Sequence, residues 1–137
     1  MTASERLAAL SKVTEDLLDK MQQEGWWCYR TMACEDSGTV QGWMDGAYLT
    51  EDRPIPWDIN CGQCEEWACE ASRALGGGEV IWIEEYDEAR FSNFAHAVLL
   101  FEGRFYDSET LEGADDIAGI RMVEQQLEAE RRCGVLA

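Results

Sequence analysis

The sequence predicts an α+β domain, in which an N-terminal helix, a central helix and a C-terminal helix pack with a small antiparallel β-sheet. Three observations support this fold class. Apolar residues recur at helical spacing near both ends and in the middle of the chain. Residues typical of strands lie between the last two helical patterns, and a Glu-Gly step among them is typical of a tight hairpin. The length of 137 residues suits one core, so we expect a single domain over residues 1–137.

The first predicted helix spans residues 2–24. Thr2 and Glu5 fit a capping box, which satisfies free N–H groups in the first helical turn. An apolar stripe follows at helical spacing, and Gly25 ends the helix. The stripe consists of Leu7, Leu10, Leu17, Leu18 and Met21.

Residues 26–60 are rich in tryptophan, glycine and aspartate. We expect short strands or ordered loops here, around Trp26–Met32 and Trp43–Leu49. Tryptophans in such a segment more often anchor loops on a core than form a substrate platform. Those of this segment are Trp26, Trp27, Trp43 and Trp57. We nevertheless expect the residues that select the substrate to lie in this region.

A central helix is predicted from Cys61 to Leu75, where three glycines end it. Its inward side consists of Trp67, Ala68, Ala71 and Leu75. Three strands follow, over Val80–Tyr86, Phe94–Phe101 and Arg104–Asp107. Asp115 or Asp116 then caps a last helix that ends at Arg132. The inward residues of this helix are Ile117, Ile120, Val123 and Leu127.

The net charge of −17 is strongly acidic. It repels phosphate backbones and attracts cationic proteins or peptides, so we expect no nucleic-acid partner. No stretch approaches the ~18 apolar residues of a membrane span, and the first residues lack the order of a signal peptide. We therefore expect a cytoplasmic protein with no membrane partner, in which the six cysteines are thiols.

The strongest chemical signal is Cys64, near the start of the central helix. Asn60 is a good N-cap and places Cys64 in the first turn, where free N–H groups and the helix dipole stabilise a thiolate. We expect this position to lower a thiol pKa that is ordinarily about 8.5, as a nucleophile requires. Glu65 and Glu66 are expected to oppose that shift, because nearby carboxylates disfavour a second anion.

His96 is the only histidine of the chain and is the candidate base. If the Glu-Gly step at 102–103 forms a two-residue hairpin loop, Val98 pairs with Asp107. Strand alternation then makes Asp107 the diagonal neighbour of His96 on one face of the sheet. Glu109 stands directly opposite His96 and is the fallback partner. The carboxylate would orient the imidazole, which would take the proton of Cys64.

These residues resemble the papain-like and transglutaminase-like cysteine enzymes. Gly62-Gln63-Cys64 followed by Trp67-Ala68 is similar to the Gly-Gln-Cys-Trp-x-x-Ala region of transglutaminases, and Cys61-Gly62-Gln63-Cys64 to the Cys-Gly-x-Cys helix start of papain-like proteases. His96-Ala97-Val98 followed by Tyr106-Asp107 is similar to the other half of that superfamily's site. The motifs lie within residues 60–70 and 94–108, and the order Cys, His, Asp also matches.

The resemblance implies acyl transfer by a Cys64–His96–Asp107 triad acting on an amide bond of a protein or peptide, for which the acidic charge favours a basic substrate. Papain-like proteases carry an oxyanion-hole glutamine several residues before the nucleophile, and that position is not glutamine here. The backbone N–H of Cys64, with Asn60 or Gln63, is the expected replacement. Trp67 is a further candidate for substrate contact.

Three other interpretations remain open. Cys61 and Cys64 form a Cys-x-x-Cys motif, as in thioredoxin-like oxidoreductases. Four thiolates, from Cys28, Cys34, Cys61 and Cys64, would complete a zinc shell, but the gap between the first two is unusually long and we expect no metal or cofactor. The charge also suits an acidic binding or inhibitor protein on a hydrolase-like fold.

Overall fold

The computed structural model describes residues 1–24 and 54–133. Within these residues the fold is α+β, with an antiparallel sheet and helices on both of its sides, which confirms the predicted fold class. The strands predicted around Trp26–Met32 and Trp43–Leu49 lie outside the described residues. Of the helices in residues 1–24 and 54–133, none is long and apolar enough to cross a membrane.

Helix α1 spans Ala3–Glu24 and begins with the predicted capping box. The N–H of Thr2 donates to Glu5 Oε1 at 2.9 Å, and the N–H of Glu5 donates to Thr2 Oγ1 at 3.0 Å. The apolar stripe is buried as predicted from Leu10 onwards, whereas Leu7, one turn earlier, is exposed. Helix α1 therefore covers the core with its last four turns.

Between residue 54 and the sheet the chain forms two helices where one was predicted, α2 (Pro56–Asn60) and α3 (Cys64–Leu75). The predicted start of the central helix at Cys61, with Asn60 as its N-cap, was wrong. The N–H groups of Cys61 and Gln63 donate to carbonyls of α2, so the chain completes a short helix before it begins the next. Gln63 is the N-cap of α3, and Cys64 keeps its predicted place in the first turn.

The inward face of α3 is confirmed, because all four predicted residues are buried. Trp67 is 1% exposed, and its indole N–H donates to Thr14 Oγ1 at 2.9 Å, which ties α3 to α1. The helix ends at Gly76, whose φ of 74° and ψ of 26° place it in the left-handed conformation that commonly ends helices. The position of α3 against α1 and the sheet therefore follows from its apolar stripe.

The sheet contains four strands in the described residues, in the order β1 (Glu79–Trp82), β2 (Ala97–Phe101), β3 (Arg104–Asp107) and β4 (Thr110–Ala114). Strands β2 and β3 form the predicted hairpin in the predicted register, with Leu99 opposite Tyr106. The φ angles of 49° at Glu102 and 80° at Gly103 are those of a two-residue hairpin turn. This register fixes the position of Asp107 at the end of β3.

The predicted strand over 80–86 is wrong in its second half, because β1 ends at Trp82. Beyond the pair of Trp82 with Ala97, the first residue of β2, the Ile83 N–H donates to the His96 carbonyl at 2.9 Å, and the chain then turns into a helix. Strand β2 begins later than predicted because backbone hydrogen bonds at Phe94 and His96 turn the chain just before it. Two short helices follow β1: α4 (Ile83–Tyr86) and α5 (Glu88–Phe91).

Strand β4 was not predicted, and the last helix begins later than expected. The chain reverses between β3 and β4 because Asp107 Oδ1 accepts the N–H of Glu109 at 3.0 Å, closing a turn with a side chain. A 3₁₀ turn over Ile117–Gly119 then precedes α6 (Arg121–Arg132). Ile120 is extended and separates the two, and this is why no continuous helix runs from residue 116.

The sheet separates two apolar clusters. One lies under α1 and α3 and includes Leu99, Phe101 and Tyr106 from the sheet. The other lies under the short helices and α6 and includes Val98 and Phe105. Because neighbouring strand residues point to opposite faces, β2 and β3 contribute to both clusters. Both faces of the sheet are therefore covered, and the polar residues of the candidate site lie at the edge where β2 begins and β3 ends.

Replacing Thr14 by valine tests the contact between α1 and α3. Thr14→Val preserves shape but leaves the Trp67 indole N–H unpaired in the core, so we expect the free energy of unfolding to fall by about 1–3 kcal/mol. Urea unfolding measures it. The control is Lys12→Ala, which removes an exposed ion pair to Asp16 on the same helix and should have no measurable effect. Equal stability of Thr14→Val and the wild type would contradict this account of the packing.

Candidate active site

Cys64 is the first residue of α3 and is half-buried. Its Sγ accepts a hydrogen bond from the backbone N–H of Ala97 at 3.5 Å, across 33 residues of sequence. This bond joins the start of α3 to the start of β2. The sulfur therefore lies beside the residue that follows His96.

His96 and Asp107 form a buried pair at the same end of the sheet. His96 Nε2 lies 2.9 Å from Asp107 Oδ2, and the two side chains are 2% and 1% exposed. The predicted diagonal contact is therefore present, with Asp107 and not Glu109 as the partner. The other ring nitrogen, Nδ1, is buried and makes no hydrogen bond to any residue that the structure describes. Nδ1 is thus the nitrogen available to exchange a proton with a neighbouring group.

The thiol of Cys64 and the imidazole of His96 shift each other's pKa. Burial raises the pKa of Cys64, but the imidazole and the N–H groups of Ala97 and Glu65 outweigh burial, and the pKa is lowered overall. Burial lowers the pKa of His96, but Asp107 and Cys64 outweigh it and raise the pKa to about 9. The two directions together favour a thiolate beside an imidazolium at neutral pH.

The carboxylates that follow Cys64 do not reverse this shift. Glu66 pairs with Lys20 of α1, with Nζ and Oε1 2.7 Å apart. Glu65 contributes its backbone N–H, which lowers the pKa of Cys64. The expected opposition of these two carboxylates therefore does not outweigh the imidazole and the N–H groups, and the pKa of Cys64 is still lowered.

Cys61 behaves differently from Cys64 although only two residues separate them. It lies in the turn between α2 and α3, and burial, with the charges of Asp58 and Glu109, raises its pKa to about 12. Cys61 is therefore a thiol across the physiological range. The low-pKa cysteine of the Cys-x-x-Cys motif is the second one, at the helix start.

Two of the three residues expected to contact substrate are engaged elsewhere. Trp67 is packed in the core and cannot reach a substrate. Asn60 is 5% exposed, and its amide is bonded to Asp107, Ser108 and Glu109, so it is not free to serve as an oxyanion donor. Gln63 is half-buried and makes no capping bond with its side chain. It remains the predicted side-chain donor.

Two partners in this cluster were not foreseen from sequence. The backbone N–H of Ala97 carries no side-chain signal and could not have been identified as a donor to Cys64. Ser108 Oγ lies 2.8 Å from the Pro56 carbonyl oxygen and 2.9 Å from Asn60 Oδ1, and its single proton is shared between these two acceptors. The Asp-Ser step at 107–108 is typical of a turn closed by a side chain, and this signal could have predicted the reversal there.

In residues 1–24 and 54–133, no group of three or more His, Cys, Asp or Glu residues is arranged to hold a metal ion. Cys28 and Cys34, two of the four ligands considered for zinc, lie outside the described residues. Comparisons with protein-family models, curated proteins and solved structures found no match to this chain.

The single histidine allows the charge of the pair to be measured directly. We expect the His96 ring protons to titrate by NMR with a midpoint near 9, because Asp107 and the thiolate hold the imidazolium. The imidazolium should thus persist through neutral pH and be lost only above it. Asp107→Asn should move the midpoint down towards the ordinary value of 6.5.

The same chain unfolded in urea is the control for this titration, and its histidine should titrate near ~6.5. A native midpoint at or below that of the unfolded chain would contradict the pairing.

Proposed function

We propose that this protein is a cysteine-nucleophile hydrolase or acyl transferase that acts on an amide bond through Cys64, His96 and Asp107. The observation that supports it best is the buried bond between His96 Nε2 and Asp107 Oδ2. Nδ1 of the same ring has no hydrogen-bond partner among the described residues, and the low-pKa thiol of Cys64 is its neighbour. A structural histidine would use both ring nitrogens for hydrogen bonds. Here one nitrogen is left for a proton.

The proposed reaction begins with attack by the Cys64 thiolate on the carbonyl carbon of the substrate. A C–S bond forms, and the C–N bond breaks as the imidazolium of His96 gives its proton to the leaving amine. The product is a thioester on Cys64 and a neutral imidazole. His96 then takes a proton from water, or from a second amine, as that nucleophile attacks the thioester and releases the thiolate.

Asp107 supports both steps by holding the imidazole in one orientation. With Nε2 bonded to Oδ2, the ring cannot rotate without breaking a buried charge-assisted hydrogen bond. The carboxylate also stabilises the positive charge that the ring carries before it protonates the leaving group. Asp107 itself need not gain or lose a proton in this cycle.

Stabilisation of the oxyanion is assigned to the start of α3. The first N–H groups of a helix have no partner within the helix, and the N–H of Cys64 belongs to this set. Gln63 would supply a second donor from its side chain. Such donors are most effective where they are fixed before the substrate binds, as they are at the start of a helix.

The proposed substrate is a protein or peptide, and the net charge of −17 favours a basic one by attracting it before it binds. Peptidase, amidase, deamidase and transglutaminase reactions share the thioester step described above. They differ in whether water or an amine accepts the acyl group. The proposal therefore specifies the nucleophile and the reaction type, and leaves the acceptor to experiment.

Site-resolved alkylation tests the nucleophile. At a pH of about 6, where an ordinary thiol is almost fully protonated, we expect iodoacetamide to modify Cys64 before any other cysteine. His96→Ala should slow that modification by about tenfold or more, because the thiolate loses its counter-charge. Mass spectrometry of digested protein locates and times each modification.

The matched control is Cys69→Ala, which removes another cysteine of α3, one turn further along. It should leave the rate at Cys64 unchanged. An activated ester offered in place of iodoacetamide should leave one acyl group on Cys64, removable by hydroxylamine. Equal, slow alkylation of Cys64 and Cys69 in the wild type would exclude the proposed function.

A further inference from the structure

Asn60 occupies an unusual place behind the His96–Asp107 pair. It ends the short helix α2, is 5% exposed, and lies 47 residues from Asp107 in sequence. Its Nδ2 lies 3.0 Å from Glu109 Oε1 and 3.4 Å from Asp107 Oδ2. One amide nitrogen thus contacts two carboxylates, and the nearer oxygen of Asp107 is the one that binds His96.

The orientation of this amide is determined by its neighbours. Asn60 Oδ1 accepts a hydrogen bond from Ser108 Oγ at 2.9 Å. In the opposite orientation the carbonyl oxygen would face the carboxylates of Asp107 and Glu109 and would repel both. The amide therefore has one acceptable orientation, in which each of its two N–H groups points to a different carboxylate.

Asp107 needs such a donor because a second carboxylate lies two residues away. Glu109 is mostly buried, and burial together with the charge of Asp107 raises its pKa. Glu109 is also the residue that the strand pairing would place opposite His96. Asn60 donates to Glu109 Oε1, and Arg121 Nε lies 3.9 Å from Glu109 Oε2. Glu109 therefore has partners other than the imidazole, which is bonded to Asp107 Oδ2.

We propose that Asn60 is a positioning residue, which acts through Asp107 by fixing the carboxylate that orients His96. The inference rests on the proposed function and extends it, because it assigns a role in the site to the last residue of α2. Asn60 contacts neither Cys64 nor a reacting atom in this scheme. Its effect on the reaction arises from the geometry of the Asp107 carboxylate.

The anchoring of α2 makes this role separable from a purely structural one. Ser108 Oγ also bonds the Pro56 carbonyl at 2.8 Å, and Ile55 N–H bonds Asp58 Oδ2 at 2.7 Å. The Ser108 contact joins α2 to the turn after β3 without the amide of Asn60, and the Ile55 bond caps α2 itself. Loss of that amide should therefore leave the fold in place while it frees the Asp107 carboxylate.

The proton on His96 Nε2 reports on this geometry without requiring a substrate. In the wild type we expect a downfield NMR signal that exchanges slowly with water, as a buried proton held between Nε2 and a carboxylate does. In Asn60→Ala the exchange should be faster by about fivefold or more, because the carboxylate loses a hydrogen-bond donor. Ser108→Ala, which keeps both N–H donors but frees Oδ1, should give a smaller increase.

Thr14→Val is the matched control, since it also removes a buried polar contact but touches neither Asp107 nor His96. It should lower stability and leave the exchange rate of the Nε2 proton unchanged. If Asn60→Ala does not fold, an unchanged exchange rate in Ser108→Ala overturns the inference, and a faster one supports it.

An unchanged rate in folded Asn60→Ala would show that Asn60 does not position Asp107, while the wild-type signal would leave the proposed function intact. An equal acceleration in Thr14→Val would mean that general destabilisation is the cause, and would also overturn the inference. Absence of the slowly exchanging signal in the wild type would instead show that His96 and Asp107 do not form the buried bond. That result would contradict the proposed function itself.

Discussion

The hydrogen bond between His96 Nε2 and Asp107 Oδ2 is the constraint on which the site depends. Both side chains are buried almost completely, so a charge on either one requires the other. The sheet supplies this pairing, because the two-residue turn after β2 sets the register that brings the end of β3 beside the residue before β2. The imidazole is then held with its Nδ1 bonded to none of the residues in 1–24 and 54–133. Hairpin geometry thus determines which nitrogen can carry a proton to a neighbour.

Cys64 and Cys61 show how strongly position decides the state of a thiol. Both are half-buried, and burial raises the pKa of each. At Cys64 the imidazole and the N–H groups of Glu65 and Ala97 lower the pKa by more than burial raises it. Cys61 faces carboxylates, which add to the effect of burial. A helix start and one histidine therefore distinguish the two cysteines of a single short motif.

Local patterns predicted most of the fold and part of the site. The capping box at Thr2, the inward face of α3 and the hairpin register were all correct, because each depends on residues close together in the sequence. Asn60 was misassigned because its partners lie far along the chain. Trp67 was correctly placed inward, but the additional role of substrate contact was wrong, because its spacing fits both a core and a binding position. The start of α6 was missed because Ile120 is extended between the 3₁₀ turn and the helix. Strand β4 was missed because the turn closed by the Asp107 side chain was not recognised in the Asp-Ser step.

The proposed function depends on one feature, a Cys64 thiolate at neutral pH that is held by the imidazolium of His96. Its most direct test is the ultraviolet absorbance of the thiolate, recorded against pH as the difference between the wild type and Cys64→Ala. We predict that one thiolate is already present at neutral pH, and that in His96→Ala it appears only near or above the ordinary pKa. A wild-type difference signal that emerges only near or above the ordinary thiol pKa of about 8.5 would contradict this thiolate.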